Sequence, residues 1–323
     1  MMRKQRGLQT GLGIVFALAL ATTAQAQTAA SLADAANQPA TQTGMAGQLR
    51  AQVLLDRALF SPGEIDGWAG SNQQRALRGY QRAKGLEVTG KLDSATWTAL
   101  NAGAPPVLVS YTITAEDAGA SYAKLPKDVV AQGKLKALGF ESAVEALGER
   151  FHASPALLKQ LNPEADFAKA GTLLQVPNVA DVAIGAKASK VVVDKSDSTL
   201  TLLDAAGKVL AQVPVSSGSA HDPLPIGEWK TVATALDPTF HYNPALFWDA
   251  DPSHAKTTLA PGPNNPVGTV WIDLSKPHYG LHGTPNPKAV GKTQSHGCIR
   301  MTNWDAQRVA AAVGAGTPVV MQE

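Results

Sequence analysis

The stretch HGTPNPKAVGKTQSHGCIR, His282 to Arg300, holds two of the seven histidines and the only cysteine in 323 residues. A single cysteine has no internal disulfide to form, so Cys298 is either a buried hydrophobe or a reagent. Tyr279 to His282 reads as a short strand, and a strand end is able to aim the His282 side chain across the sheet at the next loop. A free thiol with a pKa near about 8.5 is only slightly ionised at neutral pH, so a nucleophilic cysteine needs a base, and His282 supplies one. Gly297 lets the backbone turn sharply before Cys298, turning amide N–H groups toward a developing oxyanion. Alternation places Arg300 on the same side as Cys298, and its planar fork suits a substrate carboxylate. Together these residues describe an acyl-transfer site. A blander reading stays open: an inert thiol, a structural histidine and a surface arginine. His282, His296 and Cys298 are also zinc-ligand types. A His-x-Cys pair is poor tetrahedral spacing, however, so no metal and no other cofactor is expected.

Moving outward, the region around this stretch is rich in short strands. Lys190–Asp194, Thr199–Leu203, Val209–Val215, Glu228–Thr234, Thr269–Asp273 and Thr317–Met321 alternate or run apolar between turn signals, which predicts a sandwich or barrel. Asp237 to Gly268 is long, proline-rich and aromatic, and reads as a lid over the site. Thr302-Asn303-Trp304-Asp305 has capping-box form and opens a helix to about Val313.

The N-terminal half is organised differently. Residues 1–26 have a basic start (Arg3, Lys4, Arg6), an apolar run from Gly11 to Thr23 and Ala24-Gln25-Ala26 before a cleavage point, the pattern of a signal peptide. That pattern predicts an exported protein with no membrane span after processing. Residues 27–47 are Ala-, Thr- and Gln-rich without an apolar period and predict a flexible linker. Residues 48–102 predict a three-helix bundle, with Ser61-Pro62-Gly63 and Asp66-Gly67 as breakers, Ser71 as a cap, and Trp97 in the core. After Pro105-Pro106, residues 107–179 predict a βααβ module: strand Val107–Thr114, helices Ser142–Phe151 and Ser154–Leu161, and strand Thr172–Val176. The formal charge of +2 and the absence of a long basic run argue against a nucleic-acid partner.

Three resemblances sharpen this layout. HGT followed by SHGCIR, with Pro223–Trp229, Pro261–Gly268 and Gly316–Val320 as flanks, resembles the L,D-transpeptidase (YkuD) catalytic domain over residues 190–322. Residues 48–102, with Asp66-Gly67-Trp68-Ala69-Gly70, Gly79-Tyr80-Gln81 and Gly90 to Trp97, resemble a three-helix peptidoglycan-binding domain. Residues 107–179 resemble LysM, a glycan-binding module, with an insertion at Glu116–Glu141. The fold implied is multidomain: a mainly-β, sandwich-like catalytic domain preceded by an all-α bundle and a βααβ module.

The catalytic resemblance implies Cys298 as nucleophile and His282 as general base, its ring oriented by the Gly283 carbonyl. It implies Gly297, His296 and Ser295 as the oxyanion turn, with amide donors at Gly297 and Cys298, and Arg300 as a substrate contact. The implied reaction is attack on a tetrapeptide stem with release of D-alanine, then transfer to an amine, forming L,D cross-links in peptidoglycan of the periplasm. The same thiol would be open to carbapenem-type inhibitors. Alternative outcomes are transfer to water (a carboxypeptidase or hydrolase), attachment of a lipoprotein, or a non-catalytic peptidoglycan-binding protein.

Overall fold

A computed structural model of the chain describes residues 28–40, 42–179 and 182–323. The expected signal peptide lies outside the described residues. Among those described, no helix is long and apolar enough to cross a membrane.

The expected tether is partly a folded element. Residues 28–37 form helix α1, with Ala29, Ala33 and Ala36 buried. These alanines recur at i, i+4 and i+7, a helical face made of methyl groups, which a search for large apolar residues overlooks. The segment is also pinned by polar bonds. The Asn37 amide donates to the Leu108 carbonyl and accepts from the amides of Val107 and Leu108, while Arg50 donates to the Ala36 carbonyl.

The three-helix bundle consists of α2 (Gly44–Arg57), α3 (Ser71–Ala83) and α4 (Ser94–Asn101). Asp93 caps α4 by accepting from the Thr96 amide at 2.8 Å. Trp97 is buried, whereas Trp68 is 65% exposed. Strand β1 (Leu108–Thr112) then pairs antiparallel with β2 (Leu173–Pro177). Between them lie α5 (Ala115–Gly119), α6 (Val129–Gln132), α7 (Ala143–Arg150) and α8 (Pro155–Leu161). The insertion at 116–141 therefore carries all but the first residue of α5 and all of α6. Leu49, Leu55, Leu77, Leu108, Leu158 and Leu174 belong to one hydrophobic cluster. The break expected at Pro105-Pro106 thus does not separate two cores: the bundle and the β1–β2 unit share one.

The C-terminal region is built on one nine-stranded sheet with a separate core. Its strands are β3 (Lys190–Asp194), β4 (Thr199–Leu203), β5 (Val209–Pro214), β6 (Ser216–Ser217), β7 (Gly227–Leu236), β10 (Val270–Leu274), β11 (Gly280–His282), β12 (Ile299–Arg300) and β13 (Pro318–Gln322), in the spatial order β5-β4-β3-β13-β7-β10-β11-β12-β6. Hydrogen bonding is continuous because β7 is long. Its first residues pair with β13 and its later ones with β10. A separate hairpin, β8 (Phe240–Tyr242) with β9 (Thr257–Leu259), lies in the predicted lid. Helix α9 (Asn303–Ala312) is capped by Thr302, which accepts from the Asp305 amide at 3.2 Å.

Buried polar contacts join the two halves. Arg308 on α9 grips both oxygens of Asp56 on α2 at 2.9 Å each, and His152 Nδ1 lies 3.2 Å from the same carboxylate. Ser61 donates to Asp305 at 2.8 Å, and His152 stacks on Trp304 at 4.9 Å. Removing a partner from a buried ion pair leaves a charge without compensation. Arg308→Ala is therefore expected to lower unfolding stability by about 3 kcal/mol in urea titrations at pH 7. A loss below about 0.5 kcal/mol, typical of a surface substitution, would show that this contact does not hold the halves together.

Candidate active site

The site is organised by the pairing of β11 with β12. The strands run parallel, with Leu281 opposite Ile299 and His282 opposite Arg300. Paired residues of a parallel ladder share a face, so His282 and Arg300 lie side by side on one face, and Cys298 sits two residues before Arg300, in the bend that leads into β12. β12 is held from its other side by β6, where Ser217 pairs with Ile299 and Ser216 with Arg300.

His282 is 5% exposed and stacks on Trp271, its cross-strand neighbour, at 5.5 Å. Its Nδ1 lies 2.7 Å from the Gly283 carbonyl. A carbonyl only accepts, so Nδ1 carries the proton and Nε2 keeps its lone pair. Burial, then the charge of Arg300, pulls the His282 pKa down to about 3, against a smaller upward pull from the Gly283 carbonyl. At neutral pH the imidazole is a free base.

Cys298 is half-buried, and its thiol donates to the His278 carbonyl at 3.7 Å. Burial pushes the thiol pKa up, while the Gly280 backbone and Arg300 pull it down less strongly. At rest the thiol and the imidazole are therefore both neutral, and the thiol's hydrogen bond goes to the His278 carbonyl rather than to His282. Arg300 is half-buried and carries an Nε atom that is shielded from water and has no partner among the described residues. Such a donor is suited to an incoming anion.

The turn before Cys298 is fixed from several sides. Ser295 Oγ donates to the Cys298 carbonyl at 2.6 Å and accepts from the Gly218 amide at 2.7 Å. Gly297 has φ +96°, and a Cβ there would meet the Tyr279 ring. Only glycine fits both demands. The Gly297 and Cys298 amides have no backbone acceptor among the described residues. His296 points its contacts toward the lid: Nε2 lies 2.8 Å from Asp249, and the ring packs against Phe247.

Several supporting residues were not legible in the sequence. Asn303 Oδ1 accepts from the amides of Thr284 and Thr269, fixing the chain just after Gly283. Asn72 donates to the Val290 carbonyl and Arg75 to the Gly291 carbonyl, so α3 of the bundle grips the loop between His282 and Cys298. Tyr279 lies against Gly297, with Lys276 5.0 Å from its ring centre. Only Tyr279, beside the motif and aromatic, carried a usable signal. No group of three or more His, Cys, Asp or Glu side chains among the described residues is placed to hold a metal.

These features are those of a β-rich domain with a histidine at the end of one strand and a cysteine at the entry to its neighbour, and comparison with known proteins supplies the family. Residues 188–321 match the L,D-transpeptidase catalytic domain (YkuD), and residues 49–100 match a peptidoglycan binding domain. The chain is 30% identical over 188 residues to the Bacillus subtilis protein bearing the name L,D-transpeptidase YkuD, covering 55% of this chain and 92% of that protein. A Bacillus licheniformis protein of the same name is 52% identical over 59 residues, which span 18% of this chain and 36% of that one. The crystal structure of L,D-transpeptidase 3 from Mycobacterium tuberculosis covers 48% of this chain and 76% of its own, at 19% identity and a TM-score of 0.35. The assignment rests on the Bacillus subtilis relative: the chain belongs to the L,D-transpeptidase family.

The electrostatics make a direct prediction. In 15N NMR spectra, His282 is expected to stay neutral, with its proton on Nδ1, from pH 5 to pH 8. Arg300→Gln removes a cause of the lowered pKa, so the midpoint is expected to rise while burial keeps it below an ordinary histidine value of about 6.5. A wild-type midpoint near about 6.5 would contradict the buried, free-base imidazole.

Proposed function

We propose that this protein is a peptidoglycan L,D-transpeptidase working through a covalent Cys298 acyl-enzyme. The observation that supports the reading is the parallel β11–β12 pairing, which sets His282 opposite Arg300 and its unpartnered donor, with Cys298 immediately before β12. With both partners neutral at rest, His282 takes the thiol proton as the sulfur attacks, and no ion pair need form beforehand. The carbonyl attacked is that of the L-centre of the diamino acid in a tetrapeptide stem. The C–S bond forms, the peptide C–N bond breaks, and the departing D-alanine amine takes the proton from His282. An amine acceptor then attacks the thioester, forming the cross-link and freeing the thiol.

In this reading Arg300 receives a substrate carboxylate, and the Gly297 and Cys298 amides receive the oxyanion, with Ser295 and His296 shaping their turn. Gly283 keeps His282 in the required tautomer. The peptidoglycan-binding bundle holds the enzyme near its polymer. The β1–α7–α8–β2 unit is read as a LysM-like module that touches glycan strands, and the N-terminal segment as a signal peptide that exports the enzyme to the periplasm. A carbapenem is proposed to acylate the same thiol, since an acylating β-lactam carbonyl meets the same nucleophile.

The test is product analysis. Purified protein incubated with disaccharide-tetrapeptides is expected to release D-alanine and yield cross-linked dimers by mass spectrometry, and Cys298→Ala is expected to abolish both. D-alanine release without dimers or exchange products would contradict transpeptidation and favour a hydrolase. Unchanged products from Cys298→Ala would remove the thiol from the mechanism.

A further inference from the structure

The lid, residues 237–268, is held at two places that belong to different parts of the chain. Its tip meets the catalytic turn: Asp249 pairs with His296 at 2.8 Å, Phe247 packs edge-on to the His296 ring, and Trp248 stacks on His221 at 5.1 Å. Its other margin meets residues 116–141, the insertion in the β1–β2 unit, and the start of α7. His254 Nε2 lies 3.1 Å from Asp128, and His254 Nδ1 lies 3.2 Å from the Tyr242 hydroxyl. The Leu138 amide donates to the Pro261 carbonyl at 2.9 Å, and the Leu138 carbonyl accepts from the Asn264 amide at 3.0 Å. The Asn264 side chain donates to the Gly139 carbonyl at 3.0 Å and to Glu145 at 2.7 Å. Gly262 has φ +145°, and a Cβ there would run into the Leu138 backbone. A Cβ on Gly133 would likewise run into the Thr257 hydroxyl. The second half of the insertion, from Asp128 to Gly139, is thus stitched to the lid.

We infer that residues 116–141 are a strut that positions the lid for the acceptor step, so that His254 and Asn264 are positioning residues for the choice between amine and water. This rests on the acyl-enzyme reading above. The thioester has two fates. An amine nitrogen attacks its carbonyl, the C–S bond breaks and an amide forms. Alternatively, water attacks, the same bond breaks and a carboxylic acid forms. In both, the attacking group loses a proton and the sulfur leaves as thiolate, to be reprotonated. A peptide amine must be oriented and water need not be, and a closed site limits hydrolysis of a reactive intermediate. A lid fixed between the strut and His296 supplies both conditions, whereas a loosened lid favours water.

The test uses the full chain and the double variant His254→Phe/Asn264→Ala, which keeps a ring beside Tyr242 while deleting the side-chain stitches. Hydrogen exchange of lid amides in residues 243–259 is expected to quicken by about fivefold or more, the scale of one lost hydrogen bond. With tetrapeptide donor, the ratio of hydrolysed tripeptide to cross-linked dimer is expected to rise by a similar factor of about five, with D-alanine release within about twofold of wild type and the thermal midpoint nearly unchanged. Unaltered lid exchange would overturn the strut. Faster exchange with an unaltered product ratio would overturn its role in acceptor choice, as would a fall in both products alongside a lower thermal midpoint. A wild-type protein that releases no D-alanine would instead sink the acyl-enzyme reading and, with it, the acceptor role. Lid exchange is measured without turnover, so the two failures are distinguishable.

Discussion

The Asp56 carboxylate, fully enclosed, is where three parts of the chain meet: α2 of the bundle, Arg308 of α9, and His152 between α7 and α8. Burial alone would raise its pKa, but His152 and Arg308 outweigh that and hold it well below the usual carboxylate range. The sign follows from linkage: a depressed folded pKa adds stability above the unfolded carboxylate value, and that contribution fades as pH falls through the folded one. The contact matters beyond stability because α9 also begins at the site. Asn303, in its first turn, accepts from the amides of Thr284 and Thr269, beside His282 and at the foot of the lid. Fixing α9 against α2 therefore fixes the frame in which the histidine sits.

The N-terminal units are part of the scaffold of the candidate active site. Asn72 and Arg75 of α3 hold the Val290–Gly291 backbone inside the loop that joins His282 to Cys298. The insertion at 116–141 holds the far margin of the lid. Loop and lid then meet at His296. The turn before Cys298 is braced on both sides around Gly297, where Tyr279 leaves no room for a Cβ, and preorganised donors contribute most when they need not move during a reaction.

The strands and the residues of the candidate site were legible because each is written locally. Alternation in Lys190–Asp194 and Thr199–Leu203 marks strands, Thr302 and Asp305 mark a helix start, and His282, Gly297, Cys298 and Arg300 form one motif. Other features depend on partners distant in sequence. Strands β6 and β12 are two residues each and exist only because neighbours complete their ladders. Helix α1 packs through alanines, which composition reads as a tether. The Leu108–Leu174 core shared with the bundle crosses a proline pair that reads as a boundary. Asn72 and Asn264 look like ordinary polar residues, and only the fold shows which backbone atoms they hold.

The central claim is that Cys298 is the nucleophile and that buried, neutral His282 takes its proton. The most direct measurement is intact-mass and peptide-mapping analysis after incubation with imipenem, comparing wild type, Cys298→Ala and His282→Ala. The account predicts a single adduct on Cys298 in the wild type, none in Cys298→Ala, and a greatly slowed one in His282→Ala. An adduct on another residue, or equal acylation rates with and without His282, would contradict it.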